Sequence, residues 1–279
     1  MYKLIFIDLD GTLLNDKKEI SDENIKWLNR AYKEKGITTI ITTGRQLGFV
    51  KELYDRYNCS FGDYVIASNG AIIKNIKTNE YINKEVISKE EVKKLRKISI
   101  NNNLRFFMIY TENEEYKEII KTNENILNNG GNLVKNIDIL LDEKPESIVT
   151  LCILNGKEED LNKSIKEVER LNIFDNSPVC IYNHKKNGFT IRENYFDVMK
   201  KGCNKKNAVK KVMDTLGVNH DEIIVIGDGG NDLPMFEYAK LKIAMENGSD
   251  LLKQKADYIT DNNNDDGVAK AIRKFIFEK

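Results

Sequence analysis

The chain is poor in the residues that mark zinc centres and disulfide scaffolds. It has only two histidines and four cysteines in 279 residues, and Cys59, Cys152, Cys180 and Cys203 stand far apart with no C-x-x-C pair. Zinc-site spacing is therefore absent, and the thiols read as reduced and packed. Net charge is also lacking: 44 basic residues balance 44 acidic ones. That balance removes any chain-wide attraction to nucleic acid or to an acidic membrane, so neither is expected as a partner. No apolar run approaches the roughly 20 residues that span a bilayer. The opening run Met1–Ile7 meets Asp8 before it is long enough for the apolar region of a signal peptide, so a cytoplasmic location is expected. The scarcity of proline, at 3 residues, is attributed to genome base composition and carries no mechanism. Oligomeric state has no signal in the sequence.

What remains is an ordinary globular composition, 41% hydrophobic and 32% charged. The length suggests two domains, or one large domain carrying an insertion. Tyr2–Leu9 is an almost continuous apolar run closed by Asp-Gly, the pattern of a strand buried on both faces of a parallel sheet. Similar runs recur at Ile37–Thr43, Tyr64–Ser68, Ile223–Ile226, Leu241–Met245 and Tyr258–Thr260. Helical patterns lie between them at Asp22–Lys35 (with Ser21 as N-cap), Gln46–Tyr57, Asn204–Leu216 and Asp232–Ala239. Alternating strands and helices predict an α/β fold with a doubly wound, mainly parallel, Rossmann-like core sheet.

The alternation breaks between about Glu80 and Phe196. Here the pattern reads as a helix Ser88–Asn101 opened by a Ser88/Glu91 capping box, a strand Leu104–Tyr110, a helix near Glu114–Asn128, a strand Ser147–Leu154, a helix Lys157–Leu171, and strands Val179–Asn183 and Phe189–Glu193 joined by a hairpin-like turn. A βα unit needs only about 30 residues. The stretch is therefore read as an inserted α+β domain over 81–195, with the core built from 1–80 and 196–279. Asn262–Asp266 reads as a low-complexity loop without the glycine and glutamate of an EF-hand.

In open parallel sheets, ligands bind beyond the carboxyl ends of the strands. The strands expected here end in Asp8-Leu9-Asp10-Gly11-Thr12, Thr42-Thr43-Gly44-Arg45, Ser68-Asn69-Gly70 and Gly227-Asp228-Gly229-Gly230-Asn231-Asp232. Carboxylates at Asp8, Asp10, Asp228 and Asp232 would converge and repel one another. A hard divalent cation resolves that repulsion, and an all-oxygen donor set points to Mg²⁺. Of two aspartates spaced by one residue, one can bind metal and attack while the other reaches a leaving-group oxygen. Gly11 permits a tight turn whose N–H groups cradle an anion. Thr43 adds a hydroxyl and Lys205 a fixed positive charge, which together describe a phosphate site. Arg45 either binds substrate or caps a sheet edge. Asn69 is either a turn residue or a substrate contact, and Asp228 and Asp232, in an Asp/Asn-rich stretch whose Asn231 and Asp232 precede an apolar run, are expected both to cap the helix that follows and to bind metal.

These segments, with Lys205, resemble motifs I to IV of the haloacid dehalogenase-like superfamily, and most closely its Cof-type phosphatases with a large inserted cap. The resemblance spans essentially the whole chain and includes Ala244-Met245-Glu246-Asn247 and Asp266-Gly267-Val268-Ala269. It implies a Mg²⁺-dependent phosphatase acting on a small phosphorylated metabolite: a sugar phosphate first, a nucleotide or pyridoxal phosphate otherwise. Asp8 would become the phosphoaspartate, Asp10 would be the general acid/base, and Thr43 and Lys205 would bind the phosphoryl group. Gly11, Thr12, Gly44, Arg45, Asn69, Asn231 and Asn247 would line the substrate, and Asp8, Asp10, Asp228 and Asp232 would serve the metal. The cap would set specificity. Two positions depart from the family pattern, Lys206 and Glu246 standing where glycine is common. A phosphosugar mutase would use the same residues. A phosphate-sensing regulatory module would share the aspartates and lysine, but it would need neither a cap nor Asp10.

Overall fold

The computed structural model describes residues 1–112, 115–117, 148–177, 179–186 and 189–278. The chain divides into two compact units, Met1–Lys84 with Asn204–Lys279, and Glu85–Cys203.

In the first unit, strands β1 (Leu4–Ile7), β2 (Thr38–Thr42), β3 (Tyr64–Ala67), β4 (Ile72–Asn75), β5 (Tyr81–Lys84), β12 (Ile223–Gly227), β13 (Leu241–Met245) and β14 (Tyr258–Thr260) form one sheet. Its order is β14-β13-β12-β1-β2-β3-β4-β5. Neighbours from β14 to β3 run parallel, while β4 and β5 extend the sheet antiparallel. The continuous apolar run of β1 is explained by its central place. Ile5 and Ile7 pack into one core with Leu28, Val50 and Val268, whereas Leu4 and Phe6 pack into another with Val209, Val225 and Phe236. Each such side chain contributes about 1.5–3 kcal/mol by leaving water.

Helix α1 (Asp22–Lys35) begins at Ser21, whose hydroxyl accepts from Asn24 N at 3.2 Å, and stops at Gly36 in the left-handed region. Helix α2 is Leu47–Tyr57. The expected Asp232–Ala239 helix is a 3₁₀ segment, Leu233–Tyr238, with Pro234 in its first turn.

The second unit carries an antiparallel sheet of β6 (Arg105–Glu112), β7 (Glu115–Lys117), β8 (Ile148–Gly156), β10 (Cys180–Lys186) and β11 (Phe189–Lys200) in the order β10-β11-β8-β6-β7, with β9 (Phe174–Asn176) pairing β11. Helices α3 (Lys89–Asn101) and α4 (Glu158–Leu171) bury Val92, Leu95, Leu161 and Val168 against Phe106, Leu154, Phe196 and Val198 of the sheet. The Ser88 capping box forms on both sides: Ser88 N donates to Glu91 at 2.8 Å and Glu91 N donates to Ser88 Oγ at 3.3 Å. Of the helix expected near 114–128, residues 115–117 are strand and the rest lies outside the described residues. The turn at 187–188 lies outside them too.

Both boundaries between the units differ from the expected 80/81 and 195/196. Tyr81–Lys84 belongs to the core unit because it pairs with β4, after a turn in which Asn75 Oδ1 accepts from Lys77 N and Thr78 N. At the other end β11 runs on to Lys200, and its last residues pair with β9.

Candidate active site

The parallel register Ile7↔Ile41 and Ile7↔Ile226 brings the loops after β1, β2 and β12 to one edge of the core sheet. Asp8 follows β1 directly, and its N–H still donates to Ile226 O at 3.0 Å. Its side chain, 9% exposed, accepts from Lys205 Nζ at 2.5 Å, and the same ammonium donates to Asp232 Oδ1 at 2.7 Å. Lys205 opens helix α5 (Lys205–Leu216), which is capped by Asn204. A cation at a helix N-terminus opposes the helix dipole, so this lysine is held there by the two carboxylates and not by helical preference. Breaking a local rule in this way is a mark of a functional position.

Asp232 also organises the β12 loop, its Oδ2 accepting from Asp228 N at 3.1 Å and from Gly229 N at 2.9 Å. The expectation that it caps the following segment is therefore corrected. Its side chain makes no cap bond there, because it is turned back into the loop. Gly227 is required beneath it, since a Cβ at that position would lie 2.7 Å from Asp232 Cβ.

Asp228 Oδ1 accepts from the buried Thr12 hydroxyl at 3.0 Å, and its other oxygen lies against Gly11. Gly11 adopts φ +79°, and a Cβ there would meet Asp228 Oδ2 at 2.5 Å. Both the backbone angle and the space demand glycine.

Asp8, Asp228 and Asp232 each offer a carboxylate oxygen within 4.8 Å of the others. Burial and the charge of Asp232 push the Asp8 carboxyl well above the ordinary range, against the pull of Lys205. Burial, with Asp232 again, pushes Asp228 up to about 6. Burial opposes a charged Lys205, but the two carboxylates outweigh it and hold the ammonium protonated. One lysine thus faces three clustered carboxylates, a charge imbalance that a divalent cation would neutralise. The three side chains offer oxygen donors alone, and that chemistry fits a hard divalent cation such as Mg²⁺.

Asp10, expected among the metal ligands, is not part of this group. Its carboxylate accepts from Arg45 Nε at 2.5 Å and from a terminal Arg45 nitrogen at 2.7 Å, with Lys18 Nζ at 3.0 Å. Burial acts to raise its pKa, but Arg45 and then Lys18 hold it below the usual carboxylate range. The Arg45 guanidinium, expected against substrate or a sheet edge, bridges the β1 and β2 loops and lies 4.1 Å over the Phe49 ring.

Thr43 is buried one residue beyond β2, and its hydroxyl accepts from Arg45 N at 3.1 Å. Gly44 lies against Asn69, whose N–H donates to Thr43 O at 3.0 Å and whose φ is +54°. Asn231 is exposed on the β12 loop. Asn247 donates to Gly11 O at 2.8 Å and accepts from Asn263 N at 2.9 Å. Its amide therefore ties loops together at the place where a substrate contact was expected. Lys206 pairs with Glu237 at 2.6 Å, and Glu246 is exposed.

Sequence reasoning missed Lys18 and Phe49, and it missed what the asparagine-rich loop does. Asn263 Nδ2 donates to Leu14 O at 2.9 Å, and Asn264 Nδ2 donates to Asp16 at 3.1 Å. These contacts fasten the loop after β1 across some 248 residues of chain. The one available signal was the density of asparagine at 262–264, which names no partner.

The model of the haloacid dehalogenase-like hydrolases matches residues 5–272. The 5-amino-6-(5-phospho-D-ribitylamino)uracil phosphatase YcsE of Bacillus subtilis is 34% identical, over 98% of this chain and 96% of its own. Among solved structures, a haloacid dehalogenase-like hydrolase from Bacteroides thetaiotaomicron aligns with a TM-score of 0.71 at 28% identity, over 98% of this chain and 99% of that one. TM0651 from Thermotoga maritima aligns at 0.73 with 26% identity, over 98% and 97%. The chain belongs to the haloacid dehalogenase-like hydrolases and is a phosphatase of that family.

Proposed function

We propose that this phosphatase hydrolyses small phosphomonoesters, sugar phosphates first among them, through a phosphoaspartate on Asp8 with Mg²⁺ as cofactor. The observation that carries the reading is the contrast between two aspartates one residue apart. Asp8 is buried among carboxylates with Lys205, whereas Asp10 is held by Arg45 and Lys18 outside that cluster. With a cation bound at the cluster, the Asp8 carboxyl would be drawn into its ionised, nucleophilic form, while Asp10, outside the cluster, is left to act on the departing oxygen.

Asp8 and Asp228 would hold the cation, with Asp232 fixing Lys205 and the β12 loop around them. When bound, the cation neutralises the clustered carboxylates and the charge of the phosphoryl group. An Asp8 oxygen attacks phosphorus while Asp10, which must first leave its ion pair with Arg45 and take up a proton, gives that proton to the departing ester oxygen. Asp10 then takes a proton from the water that cleaves the aspartyl phosphate. Lys205 and the Thr43 hydroxyl offer donors to the phosphoryl oxygens. The core residues serve the phosphoryl group and the proton transfers common to every monoester, so choice of leaving group is assigned to the inserted unit.

The test is phosphate release from a panel of phosphorylated metabolites, including a phosphoribityl compound of the kind in the YcsE name, with Mg²⁺ and after EDTA. Mg²⁺-dependent release that vanishes in Asp8→Asn, on a protein still folded, is expected. Release that survives exhaustive chelation would refute the metal assignment, and turnover by Asp8→Asn would refute the nucleophile.

A further inference from the structure

The loop after β13 touches both of the loops that carry Asp8 and Asp228. Asn247 Nδ2 donates to Gly11 O at 2.8 Å, in the loop after β1, and two residues on, Ser249 N donates to Asp228 O at 2.8 Å, in the loop after β12. Gly248 between them packs so closely that a Cβ there would stand 2.9 Å from Asp228 O. The segment 247–249 therefore spans from one loop to the other. At the far end of the span, Gly11 lies against Asp228 Oδ2 and the Thr12 hydroxyl donates to Asp228 Oδ1 at 3.0 Å. Asp228 is held through its backbone by Ser249 and through its carboxylate by the turn that Asn247 grips. The grip is locked in turn from the loop after β14. Asn263 N donates to Asn247 Oδ1 at 2.9 Å, so the Asn247 amide is bonded at both ends, and Asn263 Nδ2 donates to Leu14 O at 2.9 Å. Gly11 and Leu14 are the two ends of the turn. Asn263 is 6% exposed, and a shielded amide with its bonds made fixes one arrangement of its neighbours.

We propose that Asn247, locked by Asn263, is a positioning residue that sets the gap between the Asp8 and Asp228 loops, and through it the affinity for Mg²⁺, and that it is not a contact of the substrate. The inference rests on the reading above, in which Asp8 and Asp228 hold the cation. Mg²⁺ demands near-ideal octahedral geometry with bonds of about 2.0–2.1 Å, so a small drift of either loop spoils the fit. Groups that orient metal ligands are typically worth about 10–100-fold in metal affinity. A substrate contact would instead act on the ester and leave the cation alone. A merely structural tie would lower the stability of the fold and leave both affinities of the folded protein as they were.

The experiment titrates Mg²⁺ alone into the full, substrate-free chain and reads the heat of binding, so no turnover enters the measurement. Asn247→Ala is expected to bind Mg²⁺ about 10-fold more weakly than the wild type. Asn263→Asp sets a carboxylate oxygen against Leu14 O and Asp16, and it should weaken binding at least as much. In turnover of nitrophenyl phosphate the Mg²⁺ concentration for half-maximal rate should rise in parallel, and at saturating Mg²⁺ the KM of the ester should move less than the Mg²⁺ affinity did. Asn247 is exposed, so its truncation opens no cavity, and it decides the matter if Asn263→Asp fails to fold. An unchanged Mg²⁺ affinity in folded Asn247→Ala, whatever its melting temperature, would overturn the proposal. A rise in ester KM at saturating Mg²⁺ that exceeds the loss of Mg²⁺ affinity would overturn it too. Asp228→Asn separates this outcome from failure of the underlying reading. If the wild type binds no Mg²⁺, or Asp228→Asn binds it equally well, the assignment of the cation to this cluster falls as well. Wild-type binding that is lost in Asp228→Asn and kept in Asn247→Ala would overturn the Asn247 role alone.

Discussion

Lys205→Met removes the cation that bridges Asp8 and Asp232. The lysine sits 2.5 Å from Asp8 and 2.7 Å from Asp232, and all three side chains are almost wholly buried. At an effective dielectric near 20, each contact is worth about 6 kcal/mol before desolvation is counted. Burying the ammonium offsets much of that sum. Deleting one partner of a buried pair, which leaves the other charge uncompensated, costs about 3–5 kcal/mol, and that loss is expected for the metal-free protein near neutral pH. The chain has a single tryptophan, Trp27, on α1 in the core unit. Urea unfolding followed by its fluorescence therefore reports on that unit without the insert. Adding Asp232→Asn to Lys205→Met should recover part of the loss, because one of the stranded charges is gone, so the two substitutions should be strongly non-additive. Activity of Lys205→Met should fall alike on every phosphomonoester. A destabilisation under about 1 kcal/mol, or simple additivity with Asp232→Asn, would refute the account of Lys205 as the charge that balances the cluster.

Two more outcomes follow from the same cluster. Asp228 is raised to about 6 by burial and Asp232, so the folded, metal-free protein keeps a proton there that the unfolded chain releases near 4. Its stability should therefore fall as pH rises from about 4 to about 6, and the stabilisation given by Mg²⁺ should be larger near pH 7.5 than near pH 5, because the ligands must shed protons to bind. Thermal unfolding with and without Mg²⁺ checks this, and an equal Mg²⁺ effect at both pH values would contradict it. Gly11→Ala must accept φ +79° and a Cβ placed 2.5 Å from Asp228 Oδ2. It should lose about 1–2 kcal/mol from backbone strain and at least about 10-fold in kcat/KM as Asp228 is displaced. Near-wild-type kinetics from Gly11→Ala would show that Asp228 can move without consequence.

Much of the catalytic core was legible in the sequence because its determinants are local. A strand buried on both faces must be continuously apolar, which marks β1 and β12, and a polar residue directly after such a strand must lie at the sheet edge. Asp8, Thr43 and Asp228 were therefore placed by pattern and by the parallel topology alone. The Ser21 and Ser88 caps were equally readable, since a cap and its partner lie three residues apart. The antiparallel extension β4–β5 was missed, because Ile72–Asn75 and Tyr81–Lys84 mix lysine and asparagine into the strand and lack the continuous apolar run that marks β1, and with it went the boundary of the insert.

The sequence by itself determined which residues stand at the strand ends and which chemistry they can carry. Only the tertiary structure decided how they are paired. Asp10 and Asp8 are indistinguishable by composition and spacing, yet Lys205 takes one and Arg45 the other. Asp232 bonds back into its own loop and leaves the next segment uncapped, and Asn247 with Asn263 holds the loop after β1 from the far end of the chain. Each of these choices depends on the direction of a side chain and on a partner distant in sequence. Hydrogen bonds and charge pairs act over a few ångströms of space, and no residue spacing records which distant groups the fold brings that close.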